Sequence, residues 1–460
     1  MNNKESSLKL REVPVGKLIF TMSMPAIFSM FVQALYNVID TMYISKYDTT
    51  SNAVVALGYA FVIQMIILAF ALGIGIGGNI LISRKLGEGK KDEASNYGKT
   101  SLLISITFGL IFFILSWFLP KLYMNASSGV EEVQVYGIDY LEIILCFSMF
   151  IMVETNLTKM LQSMGRMVVP MICQLSGAIV NIVLDPIFIF NLGLGVKGAA
   201  IATILGQLVA ACIAIVYTII KKLDIELGFK GYRFSIRQVG DIFYAGIPTI
   251  VMNSIGAFVN LILYAILRNL DSTELSIGVL SLYFKLQSFV FMPVFGLTQG
   301  GLPILSYNYG ANIQVRYRKC LFILFGVAFL VMAIGFVLFQ TIPETLLSLF
   351  SLEENAMNMG RDAIRIMSYS FLTAGLSVIS VNAYQSLGKG LFALLMSILR
   401  QAGLLIPLAL ILSVSMGVNG VWVSFPIAEV VCTAIFLPIL LVYYKKAFKR
   451  KNTDLALMGD

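Results

Sequence analysis

Apolar runs of roughly 20 residues, each enough to cross a bilayer core at about 1.5 Å per residue, recur twelve times along the chain. They predict helices over 18 to 42, 54 to 80, 98 to 119, 138 to 158, 168 to 190, 198 to 220, 241 to 266, 276 to 302, 320 to 342, 361 to 384, 391 to 413 and 421 to 444. Polar residues gather in the short stretches between them. The pattern predicts an all-α integral membrane protein with twelve transmembrane helices.

Sliding the chain against itself exposes an internal repeat. At a constant spacing of 223 residues, Pro25 falls on Pro248, Asn37 on Asn260, Gln64 on Gln287, Gly78 on Gly301, Pro120 on Pro343, and Gln162-Ser163-x-Gly165 on Gln385-Ser386-x-Gly388. The register then drifts slightly, so that Pro186 pairs with Pro407, and Gly195 and Gly198 with Gly417 and Gly420. The chain is read as two copies of a six-helix unit, an N-terminal lobe over 1–220 and a C-terminal lobe over 241–460, joined by a cytoplasmic linker over 221–240. Six is even, so both copies insert the same way up. That predicts two parallel six-helix bundles related by a pseudo-twofold axis along the membrane normal, an arrangement suited to alternating access around a central cavity.

Composition agrees with this pattern. The 460 residues are 58% hydrophobic and 13% charged, with a mean hydropathy of +0.86. The formal charge of +8 is a matter of topology, because most Lys and Arg, Lys159 and Arg166 among them, fall in alternate loops, which become cytoplasmic when both termini are cytoplasmic. No nucleic-acid partner is expected. The polar, basic first 17 residues precede a spanning-length run without a small-residue cleavage pattern, so that run is expected to stay as a helix. Histidine is absent and the five cysteines stand singly in apolar segments, which argues against zinc chemistry and a disulfide scaffold. No nucleophile, metal or phosphate motif is present, so no catalytic residue, metal site or cofactor is expected and the chain is not read as an enzyme.

The repeat makes its exceptions informative. Asp185, in Asn181-Ile-Val-Leu-Asp185-Pro186, faces Ile406; Asp40 faces Leu263; and Thr203 faces Phe425. A carboxylate at membrane depth is expensive and marks a functional site by default. Gln33, Tyr36, Asn37 and Asp40 follow steps of three and four along the first helix, as Gln174, Ala178, Asn181 and Asp185 do along the fifth, while Thr203 and Gln207 lie four apart on the sixth. These helices are expected to meet around an oxygen-rich pocket in the outer part of the membrane. Burial raises a carboxyl pKa and a second acid raises it further, so the pocket suits a proton; the same oxygens also suit a sodium ion. The intramembrane charges of the second half are Lys285, Arg400 and Glu429, open to reading as substrate or ion contacts or as a structural ion pair. Glu154 is placed at the interface. Glycine clusters at Gly73, Gly75, Gly77, Gly78 and at Gly296, Gly300, Gly301 are read as close helix packing.

Twelve spans in two parallel halves, the Gln-Ser-x-Gly turn after the fourth and tenth helices, and Asn181-x-x-x-Asp185-Pro186 followed by Gly195-x-x-Gly198-Ala199-Ala200 resemble the multidrug and toxic compound extrusion (MATE) family, and within it the bacterial DinF-like and MepA-like exporters. The resemblance implies a cation-coupled, most naturally proton-coupled, multidrug antiporter of the bacterial cell membrane, working as a monomer and exporting small organic cations or amphipathic drugs. Asp40, Tyr36, Asn181, Asp185 and Thr203 match the family's first-lobe ion-coupling residues. Family members that bind sodium through acids on the seventh and tenth helices are not matched, since Asn253 and Asn260 are the polar amides of the seventh span and the tenth has no acid after Asp362. A lipid-linked precursor flippase is the related alternative, and would bring extra helices and a more basic cavity.

Overall fold

The computed structural model describes residues 9–47, 52–228, 232–270, 275–348 and 354–457, and these are helical almost throughout. After a single turn, α1 (Lys9–Glu12), the first copy runs through α2 (Val15–Tyr47), α3 (Asn52–Gly87), α4 (Lys91–Leu115), the short α5 (Leu119–Ser127), α6 (Glu131–Cys146), α7 (Met149–Ser163), α8 (Val168–Pro186) and α9 (Gly195–Ile220). The second copy runs through α10 (Ile236–Leu270), α11 (Leu275–Gly310), α12 (Gln314–Thr341), the short α13 (Pro343–Ser348), α14 (Glu354–Ser368), α15 (Phe371–Ser386), α16 (Gly390–Ile398), α17 (Ile406–Met416) and α18 (Val418–Leu457). Among the described residues ten helical stretches are long and apolar enough to cross a membrane, and twelve when each of two bent pairs counts as one crossing.

Two of the twelve expected spans are bent. The fourth crossing is α6 plus α7, bent by 49°, and the tenth is α14 plus α15, bent by 50°. Both joints close with i→i+3 bonds, Ser148 N–H to Leu145 C=O at 3.3 Å and Ser370 N–H to Met367 C=O at 3.0 Å. Such bonds tighten the chain and keep its polar groups satisfied where water is scarce. No glycine or proline marks either joint, so hydropathy alone runs straight through it.

Two compact units result. One contains Met1–Val13 and Phe28–Ile250, the other Pro14–Ile27 and Val251–Asp460. The 1–220, 221–240 and 241–460 division describes the repeat, whereas these units describe packing. Within the first unit α3 lies on α4 and α7, α4 on α7, α6 and α7 on α9, and α8 on α9; within the second, α11 lies on α12 and α15, α12 on α15, α14 and α15 on α18, and α17 on α18. The scheme is the same helix for helix.

Backbone conformation carries the repeat as well. Among the described residues, six of the seven with positive φ fall on matched positions, Gly193 (63°) being the exception: Gly165 and Gly388 (φ 77° and 74°), Gly195 and Gly417 (54° and 58°), and Gly89 and Asn312 (76° and 58°). The last pair keeps the 223-residue spacing although its sequence differs, and asparagine is the side chain that best tolerates this region after glycine. At Gly165 and Gly388 the turn ends α7 and α15, and the preceding Gln162-Ser163 and Gln385-Ser386 are buried in both copies.

Candidate functional site

In the first unit, α8 and α9 cross backbone to backbone at two glycines. A side-chain carbon on Gly177 would stand 2.9 Å from the Gly206 carbonyl, and one on Gly206 would stand 2.6 Å from the Gly177 carbonyl. That approach brings the polar face of α8 against α9. Asn181 Nδ2 donates to Asp185 Oδ1 at 3.2 Å and to Thr203 Oγ1 at 3.4 Å. Asp185 is fully buried and Asn181 is 3% exposed. The amide therefore holds the carboxylate on its own helix while reaching across to the hydroxyl of the next.

The backbone changes immediately beyond the acid. Pro186 has no N–H to return to the preceding turn, and the chain goes over to a π-helical turn across Ile187–Asn191, closed by Leu192 N–H to Ile187 C=O at 2.9 Å. Asn181 Oδ1 and, one turn beyond Thr203, Gln207 Oε1 are buried acceptors with no hydrogen-bond partner among the described residues. Buried amide oxygens without donors are costly, and that of Asn181 leaves acceptor capacity beside the carboxylate it bonds.

The structure thus brings Asn181, Asp185 and Thr203 together. Gln207 is half-buried on the same face of α9, and Gln33 is half-buried on α2. The side chains of Tyr36, Asn37 and Asp40 lie outside the described residues.

In the second unit, Arg400 and Glu429 face one another, Nη1 to Oε2 at 3.6 Å, across a cavity of about 340 Å³ between α10, α11, α15 and α18. Arg400 rides on a second π-helical turn, Leu399–Leu405, which here precedes the repeated proline, Pro407. Lys285 points elsewhere: its side chain is exposed, whereas Phe284, Gln287, Ser288 and Phe291 on the same helix line the cavity.

Sequence reasoning missed a buried polar seam in the first unit. Lys159, counted among the cytoplasmic loop charges, is 4% exposed, and its Nζ donates to Gln162 Oε1 at 3.2 Å. Asn79 Nδ2 donates to the Lys159 carbonyl at 2.9 Å, and Ser83 Oγ to that of Ser163 at 3.0 Å. Glu154 accepts from Thr155 Oγ1 at 3.2 Å, and its other oxygen is buried, so it is an interior group. The repeat held the signal, because Glu154 and Lys159 stand opposite Ser377 and Asn382.

The MatE family pattern matches residues 25–187 and again 248–411. Its two copies thus start at the paired prolines, Pro25 and Pro248. The chain is 25% identical over 439 residues to the multidrug export protein MepA of Staphylococcus haemolyticus (strain JCSC1435), covering 95% of this chain and 96% of that one. It is 26% identical over 435 residues to MepA of Staphylococcus aureus (strain NCTC 8325 / PS 47), covering 94% of each. Among solved structures, an outward-facing multidrug resistance MATE family transporter superposes with a TM-score of 0.91 at 22% identity, over 97% of this chain and 100% of that one. A MOP superfamily transporter from Pyrococcus furiosus Vc1 also gives 0.91 at 22%, over 97% and 99%. With both repeat copies matched and the fold shared end to end, the chain belongs to the MatE family, the multidrug and toxic compound extrusion transporters.

Proposed function

We propose that this transporter is a proton-coupled multidrug antiporter, which exports small organic cations or amphipathic compounds by alternating access and takes up its coupling proton at Asp185. The observation that carries the reading is a carboxylate with no exposed surface, held by Asn181, which also reaches Thr203, directly before a proline and a π-helical turn. Such a carboxylate changes its interactions most when it gains a proton. Protonation removes a charge from an apolar surrounding and converts one oxygen from acceptor to donor. Asp40 on α2 is assigned as the second acid of the pair.

The π-helical turn supplies a backbone able to answer that change. Its i→i+5 bonds are weaker than those of an α-helix, and Pro186 has already removed one rung of the ladder. A proton that releases the Asn181 N–H from Asp185 frees that donor for a substrate acceptor while its bond to Thr203 stays, and the segment beyond Pro186 shifts with it. Substrate and proton then compete, directly or through that conformational change, which is the thermodynamic requirement for exchange. The chain is placed in the bacterial cell membrane with both termini cytoplasmic.

A sodium ion is the second reading, favoured by the unpartnered amide oxygen of Asn181, Oδ1, beside the carboxylate, and by that of Gln207, Oε1, one turn beyond Thr203. Efflux of a fluorescent cationic dye from proteoliposomes, under proton and sodium gradients imposed separately, tests both. The wild type is expected to respond to the proton gradient, and Asp185→Asn to lose that response. A response to sodium alone assigns the site to sodium. Unimpaired gradient-driven efflux by Asp185→Asn would overturn the assignment of Asp185.

A further inference from the structure

The cavity of the second unit is built differently from the site around Asp185. Its walls include the rings of Phe284, Phe291 and Phe425, with Phe284 and Phe425 at 6.1 Å between centroids and tilted by 58°. At about 340 Å³ it lies within the ~300–1,000 Å³ range of small-molecule clefts. Aromatic walls of this kind favour a flat, partly aromatic occupant.

The charged groups of this cavity do not satisfy each other. Elsewhere in the same unit the exposed pair of Arg361 and Glu344 closes to 2.8 Å. Arg400 and Glu429 stand 3.6 Å apart with side chains only 17% and 11% exposed, where desolvation would reward the tightest contact. Glu429 Oε1 is buried with no hydrogen-bond partner among the described residues, and so are Gln287 Oε1 and Gln401 Oε1. All three residues line the cavity. Gln287 also lacks its counterpart's neighbour: in the first unit Gln64 Nε2 donates to Tyr140 at 3.0 Å, whereas in the second the matched positions are Gln287 and Ala363.

The cavity therefore offers a guanidinium with spare donors on one side, and a carboxylate with two amide acceptors on the other. Its formal charge sums to zero. An occupant carrying only a positive charge meets Glu429 but also faces Arg400. One carrying both charges meets a partner for each.

We propose that this cavity is a binding site for zwitterionic aromatic compounds, Arg400 engaging the acidic group and Glu429, with Gln287 and Gln401, the cationic or donor group. The inference rests on the reading of the chain as an exporter of amphipathic compounds and names a substrate class within it. Gly256 bounds the same space, where an added side-chain carbon would stand 3.9 Å from Gln401 Oε1. A larger residue there grows into the cavity.

Rhodamine 110 and its methyl ester, rhodamine 123, test the proposal, because they share one ring system and differ in a free carboxylate against an ester. Equilibrium binding to the full-length protein in nanodiscs is followed by fluorescence anisotropy with no ion gradient. The wild type is expected to bind rhodamine 110 at least tenfold more tightly than rhodamine 123. Arg400→Gln should abolish that preference by weakening rhodamine 110 alone. Glu429→Gln should weaken both dyes, and Gly256→Leu should weaken both by filling the space.

Arg400→Gln leaves a buried acid without its cation, so the double variant Arg400→Gln/Glu429→Gln, neutral at both positions, guards against misfolding. It too should show no preference between the dyes. Equal affinity of the wild type for the two dyes, no binding of either, or a preference that survives in the double variant overturns the proposal. Coupling at Asp185 is read from the gradient dependence of efflux and this site from binding without a gradient, so either can fail while the other stands.

Discussion

The two units share helix order, packing scheme and left-handed turns, yet they keep their intramembrane charge on different helices. In the first, the acid is Asp185 on α8, bonded to Asn181, which also bonds Thr203 on α9, with Gln207 one turn beyond Thr203. In the second, the position of Asp185 is Ile406, that of Thr203 is the cavity-lining Phe425, and that of Gln207 is Glu429. The acid has moved from the fifth helix of the unit to the sixth, and it has gained an arginine. One scaffold thus carries an unbalanced negative site in one copy and a neutral, aromatic-walled one in the other. What the copies share is required by the fold, and what they do not share is free to serve function.

The strongest way to break this comparison is to move the acid. Asp185→Ile with Ile406→Asp is expected to lower proton-driven efflux at least tenfold, since the amide and hydroxyl partners remain on α8 and α9. The carboxylate at position 406, placed in an apolar helix without an Asn181, should also cost about 3 kcal/mol, read as a lower unfolding temperature in detergent. Retained efflux in the exchanged protein would mean that either copy can hold the coupling acid.

Next in size are the left-handed turns. Gly165→Ala and Gly388→Ala each force a side chain into a region costing about 1–2 kcal/mol. The two should lower the unfolding temperature by similar amounts, and a clear inequality would show that the matched turns are not equivalent in load. Thr203→Val removes one acceptor of Asn181 and should cost about 0.5–1.5 kcal/mol while reducing efflux less than Asp185→Asn does. At the small end, Glu344→Gln opens the exposed Arg361–Glu344 pair and should change stability by less than about 1 kcal/mol, without effect on dye binding.

The architecture was largely legible in the sequence because a bilayer allows few solutions. Apolar length marks the crossings, and the 223-residue spacing is now matched by backbone conformation at Gly165 and Gly388 and by the family pattern starting at Pro25 and Pro248. The joint inside the fourth and tenth crossings was hidden, since Phe147-Ser148 and Tyr369-Ser370 carry no glycine or proline to mark it. At the candidate site, helical spacing predicted the Asn181, Asp185 and Thr203 cluster, because steps of four and a matched helix depth leave little freedom. Arg400 and Glu429 are far apart in sequence, and only folding brings them to one cavity. Lys159 was misplaced because a positive-inside count treats every lysine near a span end as a loop charge, although a long side chain can turn inward along a helix face.

The bent crossings bear on how the chain enters its membrane. A spanning helix needs about 20 apolar residues, whereas α6 and α7 have 16 and 15, as do α15 and α14 respectively. Neither half of a pair reaches across alone. Each pair therefore needs a companion already in place during synthesis, and chain order supplies one: α3 is made before α6 and α7 and packs on both, and α11 is made before α14 and α15 and packs on both. The second and eighth crossings act as internal templates for biogenesis, and damage to them should appear first as failed insertion of the segments that follow.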